Sequence, residues 1–112
     1  MKRLLTILLL GIPLFSLSQN ITEGMVIVEF NASFSNTSCT YLEELTDVEI
    51  FKIDIFETQS AQAEYKIAVV PTLIIFKEGE EMERFQANIM MQLEATKKEV
   101  QEKIDEIIMS DF

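Results

Sequence analysis

The sequence predicts an α/β domain with the element order β-α-β-α-β-β-α, in which a mixed four-stranded sheet carries helices on both faces. Three observations lead to this fold class. Short runs of β-forming residues alternate with segments of helical spacing. A tight turn around Gly79 joins the last two runs as an antiparallel hairpin. The tail places apolar residues on one stripe opposite Glu and Lys, which is typical of an amphipathic helix lying on a sheet.

The first half of the fold is predicted from four consecutive segments. Residues 25–30 follow a glycine and form a short apolar run, which indicates a buried strand. Residues 37–45 predict a short helix, with a capping box proposed between a threonine and a glutamate inside it. Apolar residues alternate over 49–55, the second strand, and residues 58–66 predict the second helix. Because β-α-β crossovers are right-handed, these two strands are expected to be parallel neighbours.

The second half begins at Pro71, which opens the third strand over 72–76. The chain then turns at 77–80 and returns over 81–86 as a fourth, antiparallel strand. The last helix is predicted over 90–109 and has an apolar stripe of Leu93, Val100, Ile104, Ile107 and Ile108.

The first 18 residues have the pattern of a signal peptide. Lys2 and Arg3 form a positive start, a short apolar run follows, and Ser16 and Ser18 are the small residues that a signal peptidase recognises. The run is shorter than the roughly 20 residues of a membrane span, although an uncleaved anchor is the alternative. We therefore expect cleavage after residue 18, a domain of residues 19–112, and a periplasmic or secreted location with no membrane contact after cleavage.

The composition excludes several kinds of chemistry. The chain has no His and one Cys, so it can form neither a His-assisted nucleophile, nor an intrachain disulfide, nor a cysteine cluster for a metal. Its net charge is −10, and loss of the first 18 residues removes two bases and no acid. Such a charge opposes binding to nucleic acid. We expect no metal, no cofactor and no nucleic-acid partner.

Several segments together resemble the thioredoxin family. Residues 26–34 read VIVEFNASF and resemble the strand that leads into the redox motif of that family. Residues 69–80 read VVPTLIIFKEGE and resemble its cis-proline strand and hairpin. Segments 53–55 and 63–67 lie between them at a spacing typical of the family. The resemblance extends over about 25–108 and implies a minimal thioredoxin-like fold without the extra N-terminal strand and helix.

The resemblance places a degenerate sequence at the redox motif. Where the family has W-C-x-x-C, this chain reads Phe34-Ser35-Asn36-Thr37-Ser38. A shift of one residue puts Cys39 at the second thiol position, but neither alignment leaves two thiols. Dithiol exchange needs one thiolate to attack and a second thiol to resolve the mixed disulfide. We therefore expect that the protein is not a dithiol disulfide oxidoreductase.

The resemblance also assigns roles to residues around this motif. Glu29 occupies the position of the buried acid that serves proton transfer in the family. The alternative is that Glu29 is a hydrogen-bonded acid at the end of the strand and has no role in proton transfer. Val70, Pro71 and Thr72 fall on the cis-proline segment, whose backbone holds an extended peptide in relatives, and the Val70–Pro71 bond is expected to be cis. Phe34 either lines this groove or belongs to the core.

Two functional hypotheses follow. In the first, the protein is a redox-inactive binding module that holds a peptide or protein in the cis-proline groove. In the second, it is a monothiol redox protein of the cell redox homeostasis type, in which Cys39 forms mixed disulfides. The second hypothesis needs a reactive thiol, whereas a lone cysteine on a short helix is more often a small core residue. A second copy of the chain is an alternative partner for either hypothesis.

Overall fold

The computed structural model describes residues 23–35 and 38–110. Within these ranges the elements follow the predicted order, except that the first helix is a single turn of 3-10 helix. The elements are β1 (Met25–Asn31), the 3-10 helix (Leu42–Glu44), β2 (Glu49–Asp54), α1 (Gln59–Glu64), β3 (Thr72–Lys77), β4 (Glu80–Gln86) and α2 (Lys97–Met109). The predicted signal peptide lies outside the described residues.

The strands form one mixed sheet in the order β2-β1-β3-β4. β1 is parallel to β2, whereas β3 is antiparallel to both β1 and β4. The β3–β4 hairpin turns at Glu78 and Gly79, whose φ angles of 50° and 84° are the left-handed values that a two-residue turn of this kind requires. The predicted mixed four-stranded sheet is confirmed.

Successive β1 residues point to opposite faces of the sheet and build two apolar cores. Both cores are covered by helical segments, as predicted. The core under α1 includes Val28, Phe30, Ile53, Ala61, Ile67 and Ile74. The core under the 3-10 helix and α2 includes Ile27, Leu42, Leu73, Ile75, Val100 and Ile104.

The predicted helix over 37–45 is wrong in length and in its cap. Only Leu42–Glu44 are helical among the described residues of this segment, and the cap position is Tyr41, which makes no side-chain cap. Glu43, the acid of the proposed capping box, pairs with Lys52 instead (Nζ to Oε2 2.7 Å). The segment is therefore held by contacts with the sheet rather than by its own helical hydrogen bonds.

α1 ends earlier than predicted because Lys66 has a φ of 55°, a left-handed conformation that is typical of the residue after a helix. The guanidinium of Arg84 donates hydrogen bonds to the carbonyls of Tyr65 (2.8 Å) and Lys66 (3.0 Å). Its other donors bind the carboxylate of Glu81. A side chain of β4 thus satisfies carbonyls that the end of a helix leaves unpaired.

α2 begins later than the predicted residue 90 because a capping box forms at Thr96. Its hydroxyl accepts a hydrogen bond from the Glu99 N–H (3.2 Å), and the Glu99 carboxylate accepts one from the Thr96 N–H (2.8 Å). This reciprocal pair fixes the helix start. No helix within residues 23–35 and 38–110 is long and apolar enough to cross a membrane.

Candidate functional site

A shallow apolar groove of about 250 Å³ lies at the end of the sheet where β1 ends. Three segments supply most of its lining: the loop after β1, the segment between α1 and β3, and the loop after β4; Ile55 after β2 and Gln62 of α1 complete it. Residues from each segment line it, among them Phe34, Ile67, Val69, Val70, Asn88 and Ile89. The groove therefore collects residues that are far apart in the sequence.

The floor of the groove comes from the segment before β3. The Val70–Pro71 peptide bond is cis, and both side chains are buried. Thr72 is fully buried, and its hydroxyl donates a hydrogen bond to the Val69 carbonyl (2.7 Å). Within the described residues, neither the N–H nor the C=O of Val70 is hydrogen-bonded to the chain. Because buried backbone groups are almost always paired, Val70 offers a donor and an acceptor to a bound ligand.

The walls of the groove carry exposed apolar side chains. Phe34 is 65% exposed and makes an edge-to-face contact with Phe56, which is 61% exposed (ring centroids 6.1 Å apart). On the other wall, Ile89 is 96% exposed and its neighbour Met90 is 69% exposed. Phe34 therefore lies in the groove and not in the core. Clusters of exposed large apolar side chains commonly mark interaction sites.

The loop that presents Ile89 is held in shape by Asn88. The amide oxygen of Asn88 accepts hydrogen bonds from the N–H groups of Met90 (2.9 Å) and Gln92 (3.0 Å). Its amide nitrogen donates to the Glu94 carboxylate (2.9 Å). Phe56, Ile89 and this loop were not predicted from the sequence. The signal for the loop is a turn-forming asparagine followed directly by two apolar residues.

Of the degenerate motif, the structure describes Ser35 and Ser38. The Ser35 N–H donates a hydrogen bond to the Ala32 carbonyl (2.9 Å), which closes a turn after β1. Ser38 is exposed and lines a second pocket, of about 280 Å³, together with Glu29 and Lys52. Asn36 and Thr37 lie outside the described residues.

Glu29 is 3% exposed, which is unusual for a carboxylate. Its Oε2 accepts a hydrogen bond from the backbone N–H of Cys39 (2.7 Å). Lys52 lies opposite it on β2, but the Lys52 ammonium is exposed and pairs with Glu43. Since a hydrogen bond to a charged acceptor is strong, Glu29 ties the segment after the motif to the centre of the sheet.

Cys39 is 6% exposed and belongs to the core under α2, beside Leu42. Burial raises the pKa of the Cys39 thiol, and the nearby charge of Glu29 raises it further, while a hydrogen bond with the Tyr41 backbone acts in the opposite direction. The thiolate is the reactive form of cysteine. Little of it is therefore present at neutral pH, and the thiol has little access to solvent.

We expect native Cys39 to react with a thiol reagent at least about 100-fold more slowly than Cys39 in the denatured chain. The reason is that the buried thiol becomes accessible to the reagent only when the surrounding structure unfolds locally. The measurement is the labelling rate with and without guanidinium chloride. The matched control is Ser38→Cys in a Cys39→Ala background, which places a thiol at an exposed neighbouring position. Equal rates for native wild type and this control would contradict the buried-thiol assignment.

A parallel β-α-β unit followed by an antiparallel hairpin, with a buried proline opening the hairpin beside the loop after β1, places the chain in the thioredoxin-like class of α/β proteins. The family model described as Thioredoxin matches residues 15–106. The chain belongs to the thioredoxin family, and the predicted family and fold are confirmed.

Within the described ranges, no three His, Cys, Asp or Glu side chains are grouped so as to hold a metal ion.

Individual relatives agree with this assignment. A thioredoxin of Chlamydia trachomatis is 33% identical, over 60% of this chain and 72% of its own length. Thioredoxin H5 of Arabidopsis thaliana is 28% identical, over 76% of this chain and 72% of its own length. Among solved structures, a mutant thioredoxin from Halobacterium salinarum is 26% identical, with a TM-score of 0.61 over 80% of each chain. A thioredoxin from Schistosoma mansoni is 24% identical and shares the fold, with a TM-score of 0.63 over 84% of this chain and 89% of its own.

Proposed function

We propose that this chain is an exported thioredoxin-like protein that binds an extended peptide or protein segment without redox chemistry. One observation supports this most strongly: Val70 lines a groove between the exposed side chains of Phe34 and Ile89, and its N–H and C=O form no hydrogen bond within the described residues. An extended segment can pair its backbone with such groups and place alternate side chains in apolar pockets.

The chemistry of the motif is consistent with this proposal. The sequence has one cysteine, and the structure places its thiol in a core on the opposite face of the sheet from α1. A hydroxyl is far less acidic than a thiol and forms no disulfide, so Ser35 and Ser38 cannot take over the exchange reaction. The monothiol alternative requires Cys39 to become exposed, which the labelling experiment tests.

Export is part of the same proposal and is supported by the positive, apolar and small-residue pattern of the first 18 residues. The protein is therefore best purified from the exported fraction, where its intact mass gives the first residue of the chain. A mass that corresponds to a chain beginning at Gln19 is expected; a full-length cytoplasmic protein would contradict this part of the proposal.

Peptide binding is tested by selecting ligands from a library of cysteine-free dodecapeptides and measuring their affinity by calorimetry. We expect Phe34→Ser to weaken the selected peptides by about tenfold or more, because loss of an apolar anchor commonly costs more than 1 kcal/mol of binding free energy. The control is Met109→Ser, which removes a side chain of similar exposure (70%) at the end of α2. Equal affinities for the two variants, or no selectable ligand, would contradict the proposed function.

A further inference from the structure

We infer that the segment bound in this groove is cationic, with one large apolar side chain flanked by Lys or Arg. This inference deepens the proposed function and rests on it. It specifies the chemistry of the partner from two properties of the surface around the groove: an aromatic platform that extends beyond the groove, and nearby carboxylates that form no ion pair with the described residues.

The aromatic platform is the edge-to-face pair of Phe34 and Phe56. Phe34 lines the groove, and Phe56 continues the apolar surface from it, so a ligand side chain larger than the groove can lie across both rings. The exposed faces of aromatic rings also attract the guanidinium or ammonium group of a neighbouring ligand residue. This platform therefore favours an apolar residue next to a cation.

Three carboxylates lie close to residues that form the groove or its aromatic platform, although none of them lines the groove itself. Asp54 accepts a hydrogen bond from the N–H of Phe56 (2.8 Å), and the exposed Glu57 follows directly in the chain. Glu94 accepts a hydrogen bond from Asn88 (2.9 Å), which lines the groove. Among the described residues, none of these three acids takes part in an ion pair.

Positive charge near the groove is sparse by comparison. Lys66 is exposed and precedes Ile67 of the groove lining, whereas the charge of Arg84 is neutralised by Glu81. Among the described residues near the groove, three acids without an ion pair thus outnumber the one such base, Lys66, in a chain whose net charge is −10. Complementary charges steer partners to a site and exclude those of the same sign. The same charge disfavours a second copy of this chain as the occupant.

The geometry of an extended segment brings these features together. When the ligand backbone pairs with Val70, successive ligand side chains alternate between the groove and its rim. A side chain directed into the groove meets Phe34 and Ile89, whereas its neighbours are directed outwards, where Asp54, Glu57 and Glu94 lie beside the groove residues. The matching sequence alternates Lys or Arg with large apolar residues.

The test uses four cysteine-free decapeptides of equal length, labelled for fluorescence anisotropy against the purified protein. Three share an apolar centre and have Lys and Arg, Ser and Gln, or Asp and Glu around it; the fourth keeps the basic residues and has Ser at the centre. In 50 mM salt we expect the basic apolar peptide to bind at least about 30-fold more tightly than the acidic one, and to lose several-fold in affinity at 300 mM salt. The fourth peptide should bind weakly.

A charge-removal variant locates the effect. Asp54→Asn, Glu57→Gln and Glu94→Gln together should weaken the basic apolar peptide by about tenfold and the neutral peptide by less than about twofold, because Asn and Gln keep an acceptor oxygen. The matched control combines Glu49→Gln, Glu80→Gln and Asp105→Asn, which remove the same charge away from the groove: Glu49 begins β2 and Glu80 begins β4, at the other end of the sheet, and Asp105 lies on α2. This control should retain most of the affinity.

The outcomes separate the two proposals. If the three apolar peptides bind equally well, the inferred cation preference is overturned while peptide binding stands. If none of the peptides binds, both are overturned. If the rim variant and the control lose affinity equally, the charge effect is not local and the inference is overturned. A dimer in light scattering that is lost with Phe34→Ser and Phe56→Ser would identify a second copy as the occupant and overturn the inference as well.

Discussion

The variant carrying both Ser35→Cys and Ser38→Cys is expected to reduce insulin disulfides at least about 100-fold more slowly than a thioredoxin, although it contains two thiols at the motif positions. A reactive thiol of this kind is activated by the N-terminus of a helix. In this chain the described helical turn after the motif is the three-residue Leu42–Glu44, which begins four residues beyond Ser38. A turn of that length contributes little dipole.

The buried carboxylate works against activation as well. Glu29 binds the N–H of Cys39, next to the introduced thiol, and its negative charge disfavours a neighbouring thiolate. The assay is insulin turbidity with dithiothreitol, and the double variant is made in a Cys39→Ala background beside Cys39→Ala alone. Adding Glu29→Gln, which keeps the size of the side chain, should increase the rate. A double variant as fast as a thioredoxin would show that the loop alone supports the chemistry.

The strands were predictable from the sequence because their patterns are local. The alternation around Ile53 is the pattern of a strand buried on one face, and the continuous apolar run of β1 is that of a strand buried on both faces. The structure places all four strands within a residue or two of the predicted ranges. The 37–45 helix was not predictable. Its outcome depends on Glu29, ten residues away, which takes the N–H of Cys39, and on Lys52, which pairs with Glu43.

The candidate site was predictable only where the family resemblance reached it. The resemblance indicated Val70, Pro71 and Phe34, and these residues lie at one groove or directly beneath it. It did not indicate Phe56 or Ile89, because an apolar residue in a loop has the same sequence signature whether it packs inwards or faces solvent. The exposure of Ile89 follows from the hydrogen bonds of the preceding asparagine, which local periodicity does not report.

Phe30→Ala is expected to lower the free energy of unfolding by about 3–5 kcal/mol, the usual cost of removing a buried aromatic ring. Phe30 is fully buried near the end of β1. Its ring lies 5.1 Å from that of Tyr65, which in turn contacts Phe76 at 5.6 Å. This aromatic row joins Tyr65, the residue directly after α1, to the sheet, so the variant loses both apolar burial and the packing that positions α1.

The matched control is Phe34→Ala, which removes the same side chain four residues later. Phe34 is 65% exposed, so its loss should change the free energy of unfolding by less than about 0.5 kcal/mol while weakening ligand binding. Urea unfolding followed by circular dichroism measures both variants. Val70 of the groove floor belongs to the same core as Phe30, so binding needs that core to be folded. Phe30→Ala should therefore weaken ligand binding only in proportion to the fraction of the protein that is unfolded. A stability loss above about 1 kcal/mol for Phe34→Ala would mean that Phe34 supports the core, and the groove would then lose its principal wall.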